Sequence, residues 1–66
     1  MVIVINGERS TWPEGTTIGQ VVERAGLAAA AYAVEVNKQL VPRRRHAEQV
    51  LRDGDEVEIV TLVGGG

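Results

Sequence analysis

The 66-residue chain has no cysteine and no phenylalanine, and only one tryptophan, one tyrosine and one histidine. Without cysteine it forms no disulfide, offers no thiolate to a metal and has no thiol nucleophile. A lone histidine argues against a protein-built transition-metal site. The shortage of aromatics leaves the core to Val, Ile and Leu. A basic excess is missing too: nine acidic and seven basic residues give a net charge of −2. That argues against general nucleic-acid binding, which needs a basic face to neutralise phosphates. Long hydrophobic runs are absent. The longest, residues 27–34, is mostly alanine and falls far below the roughly 20 residues that cross a bilayer. The opening Met1-Val2-Ile3-Val4-Ile5 lacks the basic flank and the length of a signal peptide. The expectation is a soluble, cytoplasmic chain, free of membrane and monomeric when unbound.

Hydrophobic residues nevertheless make up 44% of the sequence, too many for a disordered segment, so the length implies a single small domain with a marginal core. Val2, Ile3, Val4 and Ile5 form a β-branched run that reads as a buried strand. Asn6-Gly7 is the strongest two-residue hairpin signal, because both positions tolerate positive φ. Residues 8–12 are then the returning strand, polar enough for a sheet edge, and Pro13-Glu14-Gly15 breaks it. Thr17 and Gln20 have capping-box spacing. Ile18, Val21, Val22 and Ala25 share one face of a short helix, which Gly26 ends. Residues 27–32 are ambiguous between helix and loop. Residues 33–37 alternate as a half-buried strand, Asn37-Lys38 turns, and residues 39–41 form a short strand closed by Pro42. Residues 43–50 read as irregular or as one helical turn. Arg52-Asp53-Gly54-Asp55 is a turn, and residues 56–63 are the last strand. This order predicts an α+β fold, a β-grasp of ubiquitin-like architecture. It has a mixed sheet of four to five strands with one main helix on one face. The first and last strands pair in parallel at the centre.

The expected domain covers residues 1–63, and Gly64, Gly65 and Gly66 form a flexible tail. Three glycines pack nothing and are costly to order, but they let a backbone enter a tunnel too narrow for side chains. The tail would thereby present the Gly66 carboxylate to another enzyme's active site. On the last strand Val57, Ile59 and Thr61 share one face, while Glu56, Glu58, Val60 and Leu62 share the other. Val2 and Val4 point outward on the first strand, so Val2, Val4, Val60 and Leu62 are a candidate docking patch beside the tail. Arg43-Arg44-Arg45 is the one basic run, and Arg43 is a candidate contact for an acidic partner or a phosphate. Arg44 and Arg45 read as solvated. His46 has no nucleophile to serve and reads as a surface histidine. The acids Asp53, Asp55, Glu56 and Glu58 fit no EF-hand spacing and read as a turn with a charged strand face. No metal site is expected.

These residues match a family over nearly the whole chain. Val2-Ile3-Val4-Ile5-Asn6-Gly7, Thr17-Ile18, Val34-Glu35-Val36-Asn37, Val41-Pro42-Arg43, residues 51–60 and Gly65-Gly66 together resemble the sulfur carrier family of thiamin biosynthesis, a β-grasp relative of ubiquitin. The resemblance implies a carrier rather than an enzyme. An adenylyltransferase of the ubiquitin-activating type would use ATP and magnesium to convert the Gly66 carboxylate to an acyl-adenylate. Sulfur originating from a cysteine desulfurase would then displace AMP and leave a thiocarboxylate, which thiazole synthase would consume in building the thiazole ring of thiamin. Gly64 and Gly65 would thread the tail into those active sites. Gly64 departs from the family, which commonly has a larger residue there. The alternatives with the same fold are the small subunit of molybdopterin synthase, a ubiquitin-like protein modifier, and a β-grasp interaction module whose tail is never activated.

Overall fold

A computed structural model describes residues 1–27 and 31–61. Its elements run β1 (Val2–Ile5), β2 (Glu8–Thr11), α1 (Ile18–Arg24), β3 (Tyr32–Val36), β4 (Gln39–Val41), a 3₁₀ turn (Arg43–Arg45) and β5 (Glu56–Thr61). The strands make one mixed sheet in the order β2-β1-β5-β3-β4, the β-grasp arrangement expected from the sequence. Expectations that fall on residues 28–30 and 62–66 lie outside the described residues. They include the end of the last strand at Val63 and the glycine tail.

Both tight turns follow from residues that accept the left-handed region. Asn6 and Gly7 have φ of 49° and 86°, positive at both central positions as a two-residue hairpin requires. β1 and β2 therefore pair antiparallel, from Val2 opposite Thr11 to Ile5 opposite Glu8. Asn37 and Lys38 repeat the geometry at φ of 52° and 70° and join β3 to β4. β2 stops one residue short of Trp12, and β3 begins one residue early, at Tyr32.

α1 is started by the capping box read from the sequence. The Thr17 hydroxyl accepts from the Gln20 N–H at 3.2 Å, and the Gln20 side chain accepts from the Thr17 N–H at 2.9 Å. Ile18, Val21 and Val22 are buried. Ala25, expected on the same face, is instead the exposed C-cap, because the helix ends at Arg24 and its apolar stripe ends with it. Seven residues are too few for a self-sufficient helix. Its stability comes from packing on Ile3, Val34, Val36, Val41, Leu51, Val57 and Ile59, which complete an all-aliphatic core.

β5 is the central strand. On one side it lies parallel to β1, with Val4 opposite Glu56 and Ile5 opposite Val57. On the other it lies antiparallel to β3, from Val36 opposite Val57 to Tyr32 opposite Thr61. Two asparagine side chains extend these ladders past the strand ends. Asn6 Oδ1 accepts from the Ile59 N–H at 2.8 Å, and Asn37 Oδ1 accepts from the Glu56 N–H at 3.0 Å. The acids of the preceding turn bind backbone and side-chain donors. Asp53 Oδ1 accepts from the Val2 N–H at 2.6 Å, Asp55 Oδ2 from the Arg52 N–H at 2.8 Å, and Asp55 Oδ1 from the Asn37 amide at 3.1 Å. The acidic cluster is thus a turn, as its spacing indicated.

Replacing Asn6 by Ala removes both the acceptor for Ile59 and the residue suited to positive φ. Asn6→Ala should cost about 1–3 kcal/mol, and Asn6→Asp, which keeps an acceptor oxygen, should cost less. Urea denaturation measures both. An Ala variant as stable as the parent would contradict this role for Asn6.

Candidate functional site

The sheet register decides what surrounds the point where β5 leads into residues 62–66. Thr61 is paired with Tyr32 and Val60 with Ala33. β4 returns beside β3 with Val41 opposite Val34, so the chain arrives level with Tyr32 as it enters the Arg43–Arg45 turn. Pro42, at φ −58° and ψ 144°, ends the strand there, since it has no N–H to continue a ladder.

Three side chains meet at this end of the sheet. The Arg43 guanidinium carbon sits 4.2 Å from the centroid of the Tyr32 ring, and the His46 ring stacks on Tyr32 at 5.8 Å with planes 27° apart. Arg43 and His46 fall three residues apart, the spacing that eclipses side chains in a 3₁₀ turn. His46 is only 4% exposed, which corrects its reading as a surface histidine. Its Nε2–H donates to the Val41 carbonyl at 2.8 Å, while Nδ1 is buried and has no partner among the described residues. The His46 carbonyl accepts from the Gly19 N–H at 2.8 Å. A Cβ at residue 19 would stand 3.3 Å from that carbonyl oxygen, so glycine lets the turn dock closely on α1. The turn is tied to strand, helix and aromatic ring at once.

Arg43, predicted as a contact residue, lies against the Tyr32 ring at the end of the sheet where Tyr32 pairs with Thr61. Arg44 and Arg45 are exposed, and among the described residues their side chains make no hydrogen bond or ion pair. Among the described members of the docking patch, Val2 and Val4 are not brought beside Val60. Val4 is level with Glu56, so Val60 lies four residues further along β5, roughly 13 Å at the rise of a strand. Val2 is further still. The sequence pattern gave the outward face correctly but not the stagger, because a parallel pair has no tight turn to set its register. Val2 and Val4 are half-buried in their own neighbourhood. Val60 is 47% exposed and borders Ala33, with Leu40, 67% exposed, on the adjoining edge strand. Leu62, Gly64, Gly65 and Gly66 lie outside the described residues.

Sequence reasoning missed Tyr32 and His46 as parts of this site. Tyr32 lay in a stretch without periodicity. The spacing of Arg43 and His46 was the signal for the stack, but it requires knowing that the turn is 3₁₀.

No group of three or more His, Cys, Asp or Glu side chains among the described residues is placed to hold a metal ion. A groove of about 520 Å3 runs between Trp12, Pro13, Thr16 and the α1 residues Gln20, Glu23 and Arg24. Its one hydroxyl, on Thr16, already donates to the Pro13 carbonyl at 2.7 Å, so the groove holds no nucleophile paired with a base. No described helix is long and apolar enough to cross a membrane.

The comparisons with known proteins agree with this geometry. A thiazole synthase of Paramagnetospirillum magneticum is 36% identical over 66 residues, covering 100% of this chain and 20% of that protein. The chain thus spans about one fifth of the length of the thiazole synthase relatives it matches. The sulfur carrier protein ThiS of Escherichia coli is 29% identical over 66 residues, covering 100% of both chains. A crystal structure of the thiamine biosynthesis protein ThiS from Geobacter metallireducens superposes with a TM-score of 0.82 at 29% identity, again covering 100% of both chains. The sequence model of the ThiS family matches residues 3–66, from the first core strand to the final glycine, and the chain belongs to that family.

Proposed function

We propose that this chain is a sulfur carrier of thiamin biosynthesis and that the Gly66 carboxylate is its working group. The observation that carries the proposal is the family match over residues 3–66, which takes in both the β-grasp body and the terminal glycines. The absence of cysteine leaves the terminus as the place where sulfur would be carried. The chain acts as substrate and donor for partner enzymes, in the cytoplasm, rather than as a catalyst.

A carboxylate is a poor electrophile. Attack of a Gly66 carboxylate oxygen on the α-phosphorus of ATP, with magnesium balancing phosphate charge, forms an acyl-adenylate and releases pyrophosphate on an adenylyltransferase partner. The acyl carbon then has a good leaving group. The terminal sulfur of a persulfide charged by a cysteine desulfurase attacks it and AMP departs. A thiol then cleaves the S–S bond of the resulting acyl disulfide, itself ending in a disulfide, and the thiocarboxylate remains for thiazole synthase. The final three glycines reach roughly 10 Å when extended, enough to bring the terminus into a pocket while the folded body stays outside. The relatives named thiazole synthase favour the thiazole pathway over molybdopterin synthesis.

Incubation with an adenylyltransferase, ATP, magnesium and a sulfur source should change the intact mass by replacement of one oxygen with one sulfur, located at Gly66 by fragmentation. An unchanged carboxylate with a competent partner would sink the proposal. Deleting Gly66 should abolish this conversion and leave the melting temperature unaltered. A large stability loss would mean that Gly66 is structural.

The register sets Val4 level with Glu56, four residues before Val60 on β5. Val60→Asp should weaken binding to the adenylyltransferase roughly tenfold or more, as for an apolar contact at an interface core. Val4→Asp should weaken it less. Calorimetric titration compares them, and equal losses would restore a single continuous patch.

A further inference from the structure

We infer that the Arg43–Arg45 turn is a second recognition element, engaging an acidic surface beside the cleft that receives the tail. The inference rests on the carrier function proposed above and adds the chemistry of the partner's surface. Three arginines follow one another in this turn, all exposed, in a chain whose net charge is −2. Antiparallel pairing of β4 with β3, and of β3 with β5, brings them to the end of the sheet where Thr61 leads into the tail.

The turn is preorganised. Arg45 N–H donates to the Pro42 carbonyl at 2.9 Å, His46 N–H to the Arg43 carbonyl at 3.0 Å, and Gly19 N–H to the His46 carbonyl at 2.8 Å. Buried His46 holds the turn to Val41, and Tyr32 carries Arg43. Little backbone ordering is left to be done on binding, which favours affinity. Arg44 and Arg45 have no intramolecular side-chain partner among the described residues, so their charges serve no described internal contact.

The charge pattern also fixes direction. The outer face of β5 carries Glu56 and Glu58, with Glu35 opposite Glu58 on β3. A partner acid is attracted at the turn and repelled over Glu35, Glu56 and Glu58, so the pair of signs sets the orientation of docking as well as its rate. A nucleotide is a poorer fit for the turn. Residues 62–66, drawn out in a tunnel, span roughly 17 Å, which separates the turn from phosphates reacting at the terminus. An acidic protein surface at the mouth of the cleft suits that distance.

The test is steady-state adenylation of the full chain by its adenylyltransferase, comparing the parent with Arg44→Glu/Arg45→Glu, Arg44→Gln/Arg45→Gln and Arg44→Lys/Arg45→Lys, at several salt concentrations. The Glu variant should raise KM for the carrier roughly three- to tenfold at low ionic strength with kcat unchanged. The Gln variant should flatten the dependence on salt, and the Lys variant should retain the parental KM. All should melt as the parent does, and the Gln variant keeps the comparison sound if the Glu variant folds poorly. An unchanged KM and salt slope overturns this inference while parental adenylation upholds the carrier function. A raised KM for ATP overturns it in favour of a nucleotide contact. A parent that is never adenylated removes the carrier function and this inference with it.

Discussion

The architecture depends on β5 lying between two different kinds of neighbour. Its parallel partner β1 is the first strand of the chain, and its antiparallel partner β3 enters from beyond the helix. β1 ends at Ile5 because Asn6 and Gly7 turn the chain away. Without a substitute, the Ile59 N–H would lose its partner inside a half-buried sheet, at a cost of about 1–3 kcal/mol. The Asn6 side chain supplies that partner. Asn37 does the same for Glu56 from the other side. Each asparagine thus performs two jobs, turning one hairpin and completing the central strand. β5 is thereby held from both sides at Glu56 and Ile59.

That arrangement separates stability from chemistry. The aliphatic core is closed by residues from Ile3 to Ile59, and β5 crosses it before the terminal glycines begin. The proposed reactive group follows, five residues on in sequence, a strand whose side chains divide between the core and the outer face, Val57 and Ile59 inward and Val60 outward. The cluster of Arg43, Tyr32 and His46 stands at the end of the sheet where Tyr32 pairs with Thr61. It combines a buried anchor, an aromatic platform and a solvent-facing cation. A partner that must hold the body while a carboxylate reacts some distance away needs such features at the mouth of its cleft.

Much of this was legible in the sequence, and the exceptions have physical causes. Asn6-Gly7, the Thr17 to Gln20 capping box and the Asp53-Gly54 turn are local signals whose meaning depends on a few adjacent residues, and each took the expected form. The alternation of Val57 and Ile59 with Glu56 and Glu58 identified the two faces of β5. The stagger between β1 and β5 is set by contacts about fifty residues apart, such as Val4 with Glu56, and a one-dimensional pattern carries no record of it. For the same reason Val4 and Val60 looked adjacent. His46 looked exposed because its burial comes from Tyr32, Val41 and Gly19, none of which lies in its own turn. The family resemblance reached the tail and Arg43 but not the packing of that turn.

The proposed carrier role requires that sulfur travel on the terminal carbonyl of this chain into a thiazole ring. Its most direct test is to load the chain with a heavy sulfur isotope as the Gly66 thiocarboxylate, then supply it to thiazole synthase with unlabelled substrates. The isotope should appear in the ring of the thiazole product, and the carrier should return to a carboxylate. A thiazole formed without the isotope, or a thiocarboxylate that persists while thiazole accumulates, would contradict it.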